Sequence, residues 1–189
     1  MRVLVGEDET LIRLDLRQLL ERAGLVVCAE ARDGAEAVEL ARSERPDIAI
    51  LDVKMPRLDG IEAARQILGE RPLPIVIVSA YTEEKLVERA ADAGVFGYLA
   101  KPFREHDLMP AIATACARFD ELTAVREEVE SLADALAARK AIERAKGILM
   151  AKDGLTEDAA FARLRRASQT SGRPMRLIAE AVIEAFAVR

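Results

Sequence analysis

Four apolar runs in this chain each stop at a polar residue with useful chemistry, and none of the four alternates. RVLVGED ends in Glu7 and Asp8, PDIAILD in Asp52, PIVIVS in Ser79 and GYLAK in Lys101. Runs this short, rich in Val, Ile and Leu, read as strands covered on both faces, which is the condition of a parallel sheet. The downstream ends of such strands open on one edge, where ligands of α/β sheets bind. The sequence therefore predicts one cluster of three carboxylates, a hydroxyl and an ammonium. Carboxylates at close quarters repel unless a hard cation sits among them, and an oxygen-only donor set without His or Cys suits Mg2+. Lys101 and Ser79 then have the placement to hold an anion, and a phosphoryl group on Asp52 satisfies every member of the set.

Between these runs the pattern alternates strand and helix. Strands are expected near residues 2–6, 26–30, 47–51, 75–79 and 97–100, with helices beginning near Thr10, Gly34, Leu58, Thr82 and Arg104. Strand, crossover and strand at this spacing predict a five-stranded parallel, doubly wound α/β domain. Asp59 and Gly60 read as a turn and helix start. Past Arg104 the strand pattern ends. Leu122, Val125, Val129, Leu132 and Leu136 follow a 3,4,3,4 spacing, the seam of a long helix leaving the first domain. Either a second helix of another copy or helices of the same chain could cover it.

Three helical segments follow and form a small all-α module. The first runs from about Leu136 to Lys152 and stops at Asp153-Gly154, where Gly can take a left-handed cap. Thr156 caps the second, which ends near Ser171-Gly172, and Pro174 suits the first turn of the third. The division expected is residues 1–117, a helical linker over 118–137, and the module over 138–189.

Charge is divided in the same way. The net of -5 combines 17 Lys and Arg against 27 Asp and Glu up to residue 138 with 11 against 6 beyond it. An acidic body with a basic end suggests a partner that the body would repel, nucleic acid first. Cys28 and Cys116 lie on apolar stretches without a motif and read as buried free thiols. Met1 runs straight into the first strand with no leader-like segment, and no apolar stretch is long enough for a membrane span. A reduced cytoplasmic protein is expected.

Residues 1 to about 117 resemble the receiver domain of bacterial two-component response regulators. The resemblance rests on Glu7-Asp8, on Asp52 followed by Lys54, Met55, Pro56, Asp59 and Gly60, on Ser79-Ala80, and on Tyr98 with Lys101-Pro102. It implies a flavodoxin-like fold and makes Asp52 the phosphoacceptor for a sensor histidine kinase. It further implies Mg2+ held by Asp8, Asp52 and the backbone carbonyl of Lys54, with Glu7 acting through water. Ser79 and Lys101 would bind the phosphoryl group, Tyr98 would swing inward behind it, and the Lys101-Pro102 bond is a candidate for the cis form. The only catalysis implied is the domain's own Mg2+-dependent phosphorylation and autodephosphorylation.

Residues 138–183 resemble the ANTAR module of transcription antitermination regulators, on Ala145 to Met150 and on Ala160-Phe161 with Leu164 to Ser168. That family binds RNA stem-loops overlapping a terminator, so RNA polymerase reads through. The order receiver then ANTAR resembles the phosphorylation-dependent antiterminators of actinobacteria. Candidate RNA contacts are Arg139, Lys140, Arg144 and Lys146, with Arg163, Arg165, Arg166 and Gln169. Phe161 and Phe186, the module's only rings, fall on apolar stripes and read as core, as do Met150 and Leu164. Gly147 reads as a site of close helix packing before a site of close RNA approach. Phosphorylation is expected to favour a homodimer able to grip paired loops. Two alternative functions would need other residues. A DNA-binding response regulator would need a recognition helix, which residues 156–187 do not offer. A haloacid-dehalogenase-like phosphatase would need an acid two residues after its nucleophile, where this chain has Lys54.

Overall fold

The computed structural model describes residues 1–80 and 84–187; the helix start expected at Thr82 lies outside them. Strands β1 (Arg2–Gly6), β2 (Val26–Ala31), β3 (Ile48–Asp52), β4 (Ile75–Ser79) and β5 (Gly97–Ala100) form one parallel sheet in the order β2-β1-β3-β4-β5. Helices α1 (Thr10–Arg22), α2 (Gly34–Glu44), α3 (Gly60–Glu70) and α4 (Glu84–Asp92) alternate with them. The doubly wound expectation holds. One face packs Leu4, Leu51, Ile75 and Ile77 with residues of α2, α3 and α4. The other packs Val5, Ile50 and Val78 with Leu16 and Leu20 of α1 and with Leu108 and Ile112 further along the chain. Every residue of β3 and β4 is buried, which explains why these runs do not alternate.

Two glycines allow the β3–α3 loop to close tightly. A Cβ on Gly60 would run into the carbonyl oxygen of Asp52, and one on Gly34 into the carbonyl of Leu58. Asp59 caps α3 by accepting from the Glu62 amide at 2.8 Å, the helix-start role expected of it.

Helix α5 runs from Glu105 to Asp153 without a break, so the segment expected to start at Leu136 is its last part. Nothing between Leu136 and Lys152 interrupts a helix, since the one proline inside α5 is Pro110. The chain divides into two compact units, Met1–Thr123 and Ala124–Arg189. In the second, the end of α5 joins α6 (Glu157–Ser171) and α7 (Met175–Ala187). Ala145, Leu149, Ala160, Leu164 and Ala179 are its buried apolar centre. Thr156 caps α6 by accepting from the Ala159 amide, Gly154 takes the left-handed conformation expected of it, and Gly172 takes one as well. Pro174 stands one residue ahead of α7, where its carbonyl accepts from Leu177.

Several side chains differ from expectation. Met150 is exposed rather than buried, and neither Phe161 nor Phe186 belongs to the apolar centre of the module. Gly147 is not a point of close helix packing: a Cβ there would meet no atom of another helix within 4 Å among the described residues. Cys28 and Cys116 are free but half-buried. The seam at Leu122, Val125, Val129, Leu132 and Leu136 is solvent-exposed at all five positions. No helix among the described residues is long and apolar enough to cross a membrane.

Candidate functional site

The strand order reverses between β1 and β3, and the downstream ends of these two strands carry the acids. Glu7 and Asp8 follow β1, Asp52 closes β3, and their carboxylate oxygens lie within 4.8 Å of one another. Lys101 arrives from β5, its amide donating to the Ser79 carbonyl at 2.7 Å, after which the Lys101-Pro102 peptide is cis. Its ammonium donates to Glu7 at 2.6 Å and reaches Asp52 Oδ1 at 2.6 Å. Glu7, Asp52 and Ser79 are buried, while Asp8 faces solvent.

Burial is the largest single influence on both Glu7 and Lys101, and it prevails only at Glu7. It pushes the Glu7 carboxyl above its ordinary range, against the pull of the Lys101 hydrogen bond and charge, while the Asp52 charge pushes the same way as burial. Burial alone would lower the Lys101 ammonium, but hydrogen bonds and charge from Asp52 and Glu7 outweigh it and hold Lys101 firmly protonated. One ammonium thus partly neutralises two buried acids. The open side is a cavity of about 680 Å³ lined by Asp8, Asp52, Lys54, Ser79, Ala80 and Lys101. These oxygen donors, gathered at the mouth of one cavity with a net negative balance, fit a hard divalent cation. The structure thus brings together six of the seven receiver residues picked from sequence; the seventh, Tyr98, packs half-buried against the apolar cluster that includes Ala64 and Ile77.

One participant was missed. Arg13 of α1 is buried, donates to the Glu7 carbonyl at 2.6 Å, and pairs with Glu30 of β2 at 3.5 Å. It fixes the backbone from which Glu7 and Asp8 project. The available signal was its register: Arg13, Leu16 and Leu20 share the buried stripe of α1, where an arginine needs a reason.

Residues 3–113 match the response regulator receiver domain, and residues 130–183 match the ANTAR domain. The chain belongs to the response regulator receiver family. It is 50% identical over 183 residues to the transcriptional regulatory protein PdtaR of Mycobacterium tuberculosis, covering 97% of this chain and 89% of that one. Among solved structures, the signal receiver domain of the response regulator NarL from Mycobacterium tuberculosis is similar at a TM-score of 0.59 and 34% identity, covering 61% of this chain and 95% of that one. A chain of the CheX-CheY-BeF3-Mg2+ complex of Borrelia burgdorferi is similar at 0.58 and 26%, covering 59% and 86%.

In the ANTAR unit the basic candidates divide into two groups. Lys146 is buried, bonded to Glu143 at 3.0 Å and Glu157 at 2.6 Å, and these partners raise its pKa while lowering that of Glu157. It ties α5 to α6 and has no open face for RNA. Arg163 is exposed but paired with Asp153 at 2.5 Å. Arg139, Lys140, Arg144, Arg165 and Arg166 are exposed and carry no ion pair among the described residues, and Gln169 is exposed beside them in sequence.

Proposed function

We propose that this response regulator accepts a phosphoryl group on Asp52 from a sensor histidine kinase and, once phosphorylated, binds RNA stem-loops so that transcription passes a terminator. The observation that carries the first half is the convergence of Glu7, Asp8 and Asp52 with Lys101 held between two of them. A carboxylate oxygen of Asp52 attacks phosphorus while the bond to the donor imidazole nitrogen breaks; the electron pair stays on that nitrogen, which takes up a proton. Mg2+, bound by Asp8, Asp52 and the Lys54 carbonyl with Glu7 acting through water, would draw charge off the transferring group. The similar Borrelia burgdorferi complex, with its BeF3 and Mg2+, supports that assignment.

Lys101 is positioned to transfer one of its contacts from a carboxylate to a phosphoryl oxygen, and Ser79, at the end of the neighbouring strand, to donate a second hydrogen bond. Tyr98 would follow Ser79 inward. Water attack on the acyl phosphate returns Asp52 to its resting carboxylate. The ANTAR match supports RNA as the output ligand, RNA polymerase as the downstream partner, and a cytoplasmic site of action. Five exposed apolar side chains in heptad register on α5 support pairing of two phosphorylated copies.

Two measurements test this reading. Asp52→Asn keeps the fold but takes up no label from acetyl phosphate in the presence of Mg2+, because an amide is not a nucleophile; acid-labile labelling that survived in this variant would remove Asp52 from the role. The full-length chain loaded with beryllium fluoride and Mg2+ binds hairpin RNA at near-physiological salt more tightly than duplex DNA. Equal binding to both would sink the RNA half.

A further inference from the structure

The end of α5 and the end of α7 enclose a second cleft, of about 320 Å³, in the ANTAR unit. It is lined by Arg144, Gly147, Ile148, Ala151 and Lys152 of α5 and by Ile183 and Phe186 of α7. On α5 these positions recur at three, four, seven and eight residues, one stripe of the helix. At this size the cleft lies at the small end of ligand sites and suits one planar ring rather than a larger molecule.

Three independent features give it a direction. Gly147 supplies no side chain, and a Cβ there would meet no atom within 4 Å, so the glycine is not kept for helix packing. Glycine costs an α-helix roughly 1 kcal/mol relative to alanine, and what this one supplies is open space on the side of α5 that lines the cleft. Phe186 is half-buried and stands outside the apolar centre formed by Leu149, Leu164 and Ala179, which leaves its ring as a wall of the cleft. Arg144 and Lys152 are exposed and carry no ion pair among the described residues, whereas Lys146 and Arg163 of the same unit are taken up by Glu143, Glu157 and Asp153. Among the described residues, no acidic side chain lines the cleft.

A small cleft lined by aliphatic side chains, one aromatic ring and two cations that carry no ion pair among the described residues matches the chemistry of one nucleotide: a base to stack and phosphates to neutralise. We infer that this cleft receives a single unstacked base from the loop of an RNA hairpin, stacked on Phe186 over Gly147, with flanking phosphates on Arg144 and Lys152. The inference rests on the RNA-binding reading above and names the place where that reading becomes specific for loops. Duplex nucleic acid keeps its bases stacked and cannot fill the slot, so the cleft would separate hairpin from duplex, while the remaining cations supply affinity common to both.

The experiment uses the full-length chain with beryllium fluoride and Mg2+. The probes are a hairpin RNA library with one fixed stem and randomised loops, and the same stem closed as a blunt duplex. Gly147→Leu fills the cleft and Phe186→Ala removes the stacking face; each should reduce preference for hairpin over duplex roughly tenfold while duplex affinity stays within about twofold. Arg144→Gln should lower affinity for both probes and reduce the salt slope by about one ion. Gly147→Ala, which should fold at least as well as the native chain, controls for helix effects, and circular dichroism checks each variant. Hairpins carrying 5-iodouridine in the loop should cross-link on irradiation to the peptide containing Phe186. If the native chain prefers hairpins and both Gly147→Leu and Phe186→Ala retain that preference, the cleft is overturned and the RNA reading stands. If the native chain shows no preference for hairpins, both are overturned.

Discussion

In the first compact unit three central polar groups, Glu7, Asp52 and Lys101, are shielded and bonded to one another; in the second, several cations are exposed and carry no ion pair among the described residues. Glu7, Asp52 and Lys101 touch one another at a sheet edge, whereas Arg144, Arg165 and Arg166 have no ion pair among the described residues. The receiver fixes its chemistry by backbone: each functional atom is placed by the strand it ends. The ANTAR unit neutralises Lys146 and Arg163 internally, and on the proposed reading its other cations are the ones that meet a polyanion. Substitutions should therefore disable the first unit through geometry and the second through charge or packing.

The largest effect should come from Gly60→Ala. Its methyl group must displace the carbonyl of Asp52 itself, so a loss of about 3 kcal/mol or more is expected, with phosphorylation by acetyl phosphate abolished. Thermal unfolding followed alongside label uptake checks this; normal labelling would mean that the β3–α3 loop is softer than its packing implies. Leu164→Ala sharpens the contrast from the other side. Leu164 is fully buried in a centre of five small and medium side chains, and truncation should cost about 2–4 kcal/mol. The ANTAR unit should lose helicity and RNA binding while Asp52 still takes up label.

Arg13→Met should have an intermediate effect. It keeps an apolar stem but leaves the Glu7 carbonyl without its donor, costing about 2 kcal/mol and slowing phosphorylation more than it weakens the fold. A phosphorylation rate that matches the native chain would reduce Arg13 to packing. The smallest effect concerns acid. Burial raises the Asp59 pKa, but hydrogen bonds from Arg89 and the Glu62 amide outweigh it and hold the carboxyl below its ordinary value. A depressed folded pKa stabilises above the unfolded value near 4, and that contribution is lost as pH falls through the folded value. The pair is well exposed and screened, so only a few tenths of a kcal/mol is expected. Denaturation of Asp59→Asn and the native chain should show a stability gap at pH 6 that closes below pH 3.

Most of the receiver was legible in the sequence because strand ends are a one-dimensional property. Once PDIAILD reads as a buried strand, Asp52 must emerge at the working edge, and no knowledge of packing is needed. Arg13 was not legible in that way, since its role depends on a carbonyl six residues back and a carboxylate on the neighbouring strand. The helical unit was harder still. Helix periodicity gives a face but not which face is covered in so small a centre, so it points Met150, Phe161 and Phe186 to an interior that does not hold them. Nor could charge alone separate Lys146, paired across two helices, from Arg144, which carries no ion pair among the described residues.

The contact that Gly60 makes with the Asp52 carbonyl also has a genetic consequence. Every amino acid reachable from a glycine codon by changing one base carries a Cβ, and each of those Cβ atoms meets the same oxygen. No single-base missense change is silent at that position. A lineage could reach another residue there only if the Asp52 loop had already changed shape, so this glycine should be among the last positions of the receiver to drift, although it holds no ligand.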